Sequence, residues 1–89
     1  MEHVEGEDKG DIKLYAISTC QWCKKTKRLL KDLGVSYDFV DMDLLDEDKK
    51  KELEKEVKKC NPKLTYPTLK IDGECILGYK EDKIKEALD

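Results

Sequence analysis

Residues 12–33 read IKLYAISTCQWCKKTKRLLKDL, and the parsing of this stretch decides the fold. Its first six residues, IKLYAI, are short, apolar and bounded by polar neighbours. They predict a central strand buried on both faces. After Ser18-Thr19-Cys20-Gln21-Trp22-Cys23 the pattern changes: Thr26, Leu29, Leu30 and Leu33 recur at i, i+3, i+4 and i+7. That spacing predicts an amphipathic helix, and Gly34 suits its C-terminal cap. Residues 35–40, VSYDFV, return to a strand pattern. A strand, a helix and a strand in this order require a parallel pair joined by a right-handed crossover.

The rest of the chain completes a small sheet. Residues 41–59 carry their acids early and their lysines late, the order a helix dipole favours. Leu53, Val57 and Cys60 give this second helix a thin apolar stripe, and Asn61-Pro62 ends it. Residues 66–71, YPTLKI, predict a strand that opens with proline. Asp72-Gly73 is a strong hairpin signal, leading into a last strand over residues 74–77. Gly78-Tyr79 then precedes a short helix with Ile84, Ala87 and Leu88 facing inward. The expected fold is therefore α/β, in the order β-α-β-α-β-β-α, with a four-stranded mixed sheet and helices on both faces. Residues 1–10, MEHVEGEDKG, are polar and aperiodic and are expected to be a flexible leader to one domain over residues 11–89.

Composition narrows the function. Charged residues make up 44% of the 89, well above the roughly 25% of an average domain. With 18 basic and 21 acidic residues interspersed, the chain lacks the electropositive face of a nucleic-acid binder. No apolar run approaches the ~20 residues of a membrane span, and the start of the chain lacks the apolar stretch of a secretion signal. A cytoplasmic location is expected. Four cysteines in a reducing compartment point to redox catalysis or metal binding rather than to a disulfide scaffold. Without an oligomerisation motif, a monomer is expected.

Cys20 and Cys23 sit where the first strand meets the first helix. Residues three apart on a helix share a face with Cβ atoms about 5–6 Å apart, close to the separation of about 3.8 Å that a disulfide needs. The helix N-terminus supplies unpaired N–H groups and partial positive charge, which favour thiolate over thiol at a cysteine placed there. Cys20 is thus the candidate nucleophile, and Cys23, one turn deeper, the resolving thiol. The competing reading of Cys-x-x-Cys is half of a zinc site. Zinc would want a second such pair or two histidines, whereas Cys60 and Cys75 stand apart and the single histidine, His3, lies in the leader.

Ser-Thr-Cys-Gln-Trp-Cys after a strand, Thr65-Tyr66-Pro67-Thr68 before another, and Gly78-Tyr79 before the last helix together resemble the glutaredoxin family of the thioredoxin fold, over residues 11–88. The resemblance implies a redox-active disulfide between Cys20 and Cys23. It implies a cis peptide bond before Pro67, beside that pair, with the Tyr66 backbone available to an extended substrate segment. It implies a glycine turn at Gly78-Tyr79 where substrate approaches closely. Trp22, between the cysteines, is expected to be exposed, as a partner contact or a shield for the disulfide. The chain also departs from the family pattern. Typical glutaredoxins have Cys-Pro-Tyr-Cys preceded by a lysine, where Ile17 stands here, and a Gly-Gly-x-x-Asp signature for glutathione that is missing. Residues 77–84, LGYKEDKI, look more like the turn of glutaredoxin-like redoxins that donate electrons to ribonucleotide reductase and are themselves recharged by a disulfide reductase. The resemblance thus implies disulfide-containing protein substrates, ribonucleotide reductase among them, and no tightly bound cofactor. Its electron donor would be a reductase, or else glutathione or another low-molecular-weight thiol. Two other readings are an iron–sulfur carrier using Cys20 from each of two protomers, and a zinc module using Cys20, Cys23, Cys60 and Cys75. Outside these readings, Cys60 and Cys75 are expected to be buried small hydrophobes.

Overall fold

The computed structural model describes residues 1–88; Asp89, the last residue of the expected domain, lies outside them. The elements are β1 (Glu2–Val4), β2 (Ile12–Ala16), α1 (Gln21–Asp32), β3 (Tyr37–Asp41), a 3-10 turn (Met42–Leu44), α2 (Glu47–Lys58), β4 (Thr68–Ile71), β5 (Glu74–Leu77) and α3 (Glu81–Ala87). They form one mixed sheet in the order β1-β3-β2-β4-β5. β2 lies at its centre, parallel to β3 and antiparallel to β4. The β4–β5 hairpin turns at Asp72-Gly73, where both residues have positive φ (48° and 89°), as the tight hairpin turn of an Asp-Gly pair requires.

The central strand is apolar throughout because it is covered on both sides. Leu14, Leu69 and Ile71 pack with Leu29 and Leu30 of α1 and Ile84 of α3. Tyr15 and Val40 instead pack with Met42 and with Val57 of α2. Successive residues of a strand point to opposite faces, so the adjacent pair Leu14 and Tyr15 marks the two sides of the sheet. Helices therefore cover both faces, as expected. Leu14, Leu30, Leu69 and Ile84 are fully buried, and each such side chain contributes roughly 1.5–3 kcal/mol on leaving water.

α1 ends in a Schellman motif: Gly34 N–H donates to Lys31 O (3.0 Å) and Val35 N–H to Leu30 O (3.4 Å), with Gly34 at φ 71°. The segment after β3 differs from the single helix expected over residues 41–59. Met42 is fully buried and folds the chain into a 3-10 turn. α2 begins only after Asp46, whose carboxylate accepts from Lys49 N–H at 2.8 Å. Glu47 and Asp48 lie in its first turn and Lys55 and Lys58 in its last, as the dipole favours.

Three expectations are corrected. Residues 1–10 are not a loose leader, and the sheet has five strands rather than four. β1 pairs antiparallel with β3, placing Glu2 opposite Phe39 and Val4 opposite Tyr37. Without it β3 would be an edge with unpaired backbone groups. Val4 packs on the core, and the backbone of Glu7 bonds to Gly34 O (2.7 Å) and Ser36 N (2.9 Å). Cys60 and Cys75 are not separate buried thiols either. They form a disulfide between the end of α2 and β5, across a sequence separation of 15, with Cα atoms 6.2 Å apart. A clip closing a loop of that length contributes about 3 kcal/mol by restricting the unfolded chain.

The docking of β1 is expected to depend on pH. The His3 imidazole and the Asp38 carboxylate are 2.7 Å apart, and this bond, aided by Glu5, raises the His3 pKa above its usual 6.5. A raised pKa stabilises the docked strand fully below 6.5, and the gain is lost as pH climbs through the higher, docked-state value. Amide exchange over residues 2–4, corrected for intrinsic rates, should show more protection near about pH 5.5 than near about pH 8. Equal protection, or a His3→Ala chain with the same profile as the parent, would rule this contact out as the anchor.

Candidate redox site at the first helix

The site is built on the junction of β2 and α1. Cys20 is the N-cap of α1, with extended backbone (φ −81°, ψ 120°), and its sulfur accepts from Cys23 N–H at 3.2 Å. Its carbonyl accepts the first helical bond from Lys24 N–H, and its own N–H donates to Ile17 O, each at 3.1 Å. Here a sulfur occupies the capping role that an oxygen usually fills, so the groups that begin the helix also face the reactive atom. Both thiols are free. Cys20 is half-buried, whereas Cys23 has no exposed surface. Burial, then the hydrogen bond with Cys20, pushes the Cys23 thiol up to about 12. The two cysteines are thus unequal: one meets solvent, and the other stays protonated beneath it.

The loop before Cys20 is held from the side by a residue that reading the sequence did not single out. Asp43 accepts from Ser18 N–H at 2.9 Å and also from the Ser18 hydroxyl. These bonds hold its carboxyl below the usual 3.8. Asp43 stands in the 3-10 turn after β3, so the β3 side of the sheet braces the segment that carries the nucleophile. An acid in an acid-rich stretch gave no local signal of that role.

The second wall comes from the approach to β4 and the turn after β5. The Tyr66–Pro67 bond is cis. Asn61, almost wholly buried, donates from its side-chain amide toward Thr65 O (2.9 Å) and Thr68 Oγ1 (3.0 Å), and Thr68 Oγ1 donates to Thr65 O (2.8 Å). This knot fixes the loop on both sides of Tyr66 and Pro67. Pro67 O in turn accepts from Gly78 N–H at 2.8 Å, joining the two turns. Only the Asn-Pro at the end of α2 hinted at Asn61, and only as a helix stop.

Trp22, Tyr66, Pro67, Gly78 and Tyr79 line a single cavity of about 270 Å³. The structure thus brings together all five residues expected beside the cysteine pair. Trp22 is 55% exposed and stacks on Tyr79 with ring centroids 5.7 Å apart. Lys25 Nζ lies 4.4 Å from the Trp22 ring centroid, a cation–π distance. The disulfide at Cys60 and Cys75 removes two of the four thiols from the zinc reading. Among the described residues no cluster of three or more His, Cys, Asp or Glu side chains is placed to hold a metal, and no helix is long and apolar enough to cross a membrane.

A five-stranded mixed sheet with a cysteine pair at the start of its first helix defines a redoxin of the thioredoxin fold. Residues 12–76 match the family model of glutaredoxins. The chain is 36% identical over 78 residues to a glutaredoxin-like 8.6 kDa protein of the rubredoxin operon of Clostridium pasteurianum, covering 88% of this chain and 97% of that one. Among solved structures it is similar to methanoredoxin of Methanosarcina acetivorans, with 49% identity and a TM-score of 0.90, covering 93% and 88% of the two chains. It is also similar to a glutaredoxin of Methanosarcina mazei, with 46% identity and a TM-score of 0.92, covering 98% and 85%. The chain belongs to the glutaredoxin family, whose members are thiol–disulfide oxidoreductases.

The unequal environments predict selective chemistry. With the chain folded and reduced at neutral pH, iodoacetamide should modify Cys20 and spare Cys23. Cys23 should react only on unfolding or as pH approaches about 12. Equal labelling of both thiols in the folded chain would contradict the burial described above.

Proposed function

We propose that the chain reduces protein disulfides through the Cys20–Cys23 pair, using the groove of Trp22, Tyr66, Pro67, Gly78 and Tyr79 to receive an extended disulfide-bearing segment. The observation that carries this reading is the capping geometry: Cys20 Sγ bonded to Cys23 N–H at the helix start, with the Cys23 thiol buried below. The Cys20 thiolate attacks one sulfur of the substrate disulfide. The substrate S–S bond breaks, and its other sulfur leaves as a thiolate that takes up a proton. Cys23 then gives up its proton and attacks Cys20 Sγ. The mixed disulfide breaks, and the second substrate thiol departs. Two electrons and two protons have passed to the substrate, and Cys20–Cys23 is a disulfide. Cys23 stays protonated until the mixed disulfide forms, so it does not compete with Cys20 for substrate.

The groove favours a peptide over a compact charged thiol. Its lining side chains are aromatic or aliphatic and none is charged at neutral pH. Tyr66 lies just before Thr68, the first residue of β4, so its backbone is placed for strand addition by an extended segment. Ile17 stands where a typical glutaredoxin carries lysine. These features support a disulfide reductase as electron donor, with glutathione or another low-molecular-weight thiol the lesser route. In this reading the chain acts as a monomer without a tightly bound cofactor. Proteins of the ribonucleotide reductase type, whose turnover generates a disulfide, fit as substrates.

A disulfide-reduction assay with two donors in parallel tests this. One arm supplies glutathione and glutathione reductase, the other a thioredoxin-type reductase with its electron source. Turnover in the reductase arm with little in the glutathione arm is expected. Turnover with glutathione alone would overturn the donor assignment, and none in either arm would overturn the activity.

A further inference from the structure

The second step of the proposed reaction makes a particular demand on Cys23. A thiol with no exposed surface must give up its proton and attack Cys20 Sγ. Burial holds that proton in place, with the hydrogen bond to Cys20 as the next cause, and the thiol is pushed up to about 12. In the mixed disulfide Cys20 carries no charge, but the burial remains. Two groups pull the other way, the Ile17 backbone and the Lys27 ammonium, and of these Lys27 alone bears a charge.

Lys27 lies four residues after Cys23 on α1, one turn along the same face. Lys24, Lys25, Arg28 and Lys31 of this helix are exposed, whereas Lys27 is half-buried. Its Nζ is 3.0 Å from Asp41 Oδ1 and 4.3 Å from the Phe39 ring centroid. The two side chains of the pair are 25% and 14% exposed, and every other ion pair among the described residues is more open to solvent. A charge held in this way is screened less by salt than that of a surface lysine. Asp41 stands beside Ala16 in the β2–β3 register, and Ala16 is buried in the same core cluster as Cys23. The pair thus bridges α1 to the end of the sheet that delivers the cysteines. The other titratable groups around Cys23 are Cys20 and, from the approach to β4, Tyr66. The side chains that β2, β4 and α3 bring to this core are apolar.

We propose that Lys27, anchored by Asp41, is a positioning residue for the resolving step: its fixed positive charge stabilises the Cys23 sulfur as a thiolate while it attacks Cys20 Sγ. Cys23 loses its proton, the Cys20–Cys23 bond forms, and the bond between Cys20 and the substrate breaks. The departing substrate thiolate takes up a proton. Lys27 touches neither the substrate nor Cys20 in this step, and acts through Cys23. The assignment rests on the function proposed above.

The test separates the two steps in stopped flow. The chain is prepared with Cys20 and Cys23 reduced and the Cys60–Cys75 disulfide kept, as checked by mass spectrometry, and mixed with dithiobisnitrobenzoate. Attack by Cys20 releases one coloured thiolate at a rate proportional to reagent. Attack by Cys23 then releases the second at a rate independent of reagent. Lys27→Gln keeps a donor for Asp41 and removes the charge. It is expected to slow the second phase severalfold and to move its pH profile upward, with the first phase retained. Lys27→Met should do the same, and Lys27→Arg should restore the second phase toward the parent. Circular dichroism checks that each variant is folded. A second phase unchanged in the neutral variants, both phases slowed alike, or no rescue by Lys27→Arg overturns the proposal. A parent chain that shows no second phase would instead overturn the function on which it rests.

Discussion

The hydrogen bond from Cys23 N–H to Cys20 Sγ is the contact on which the rest depends. It needs a helix that starts at residue 21, a cysteine held extended just before it, and a strand that delivers the chain to that point. β2 meets the last need by lying at the centre of the sheet, paired on both edges and covered on both faces. A junction anchored in this way moves little, so the reactive sulfur keeps its orientation toward the helix N-terminus. The same anchoring leaves Cys23 dry, because the residue that donates the capping N–H faces the core. Exposure of one thiol and burial of the other are two results of one placement.

The groove is assembled from parts far apart in the sequence. Asp43 braces the Ser18 side, and Asn61 fixes the loop around Pro67. The bond from Gly78 N–H to Pro67 O joins the two turns. None of these contacts touches a reacting atom, yet together they set the distance between the walls. The aromatic pair Trp22 and Tyr79 closes the outer rim, one ring from each side of the cavity. On the proposed reading, a partner brings an extended apolar segment past these two stacked rings.

Much of this was legible in the sequence where a local pattern has a single physical solution. The apolar run over residues 12–17, the i, i+3, i+4 spacing of Thr26, Leu29 and Leu30, and Asp72-Gly73 each admit one reading, and β2, α1 and the hairpin follow. Residues 66 and 67 could be placed beside the cysteines only through resemblance, because no property of a lone Tyr-Pro reveals a cis bond or a neighbour across the fold. The fifth strand was not legible. Residues 2–4 are too few to show a period, and they order by pairing with β3, a partner more than thirty residues away. The Cys60–Cys75 pairing was hidden for a similar reason. Spacing does not reveal which thiols meet, and the compartment argument pointed toward reduced cysteines. Asp43 and Asn61 were missed because a bracing residue is defined by what it touches.

The account stands on Cys20 as nucleophile and Cys23 as the thiol that resolves the intermediate. The most direct measurement replaces Cys23 with serine and presents a peptide disulfide to the reduced chain, following the product by intact-mass and peptide mass spectrometry. The account predicts a stable mixed disulfide on Cys20 and loss of dithiol turnover, with Cys20→Ser forming no adduct at that site. An adduct on another cysteine, or turnover at the parent rate with nothing trapped on Cys20, would contradict it.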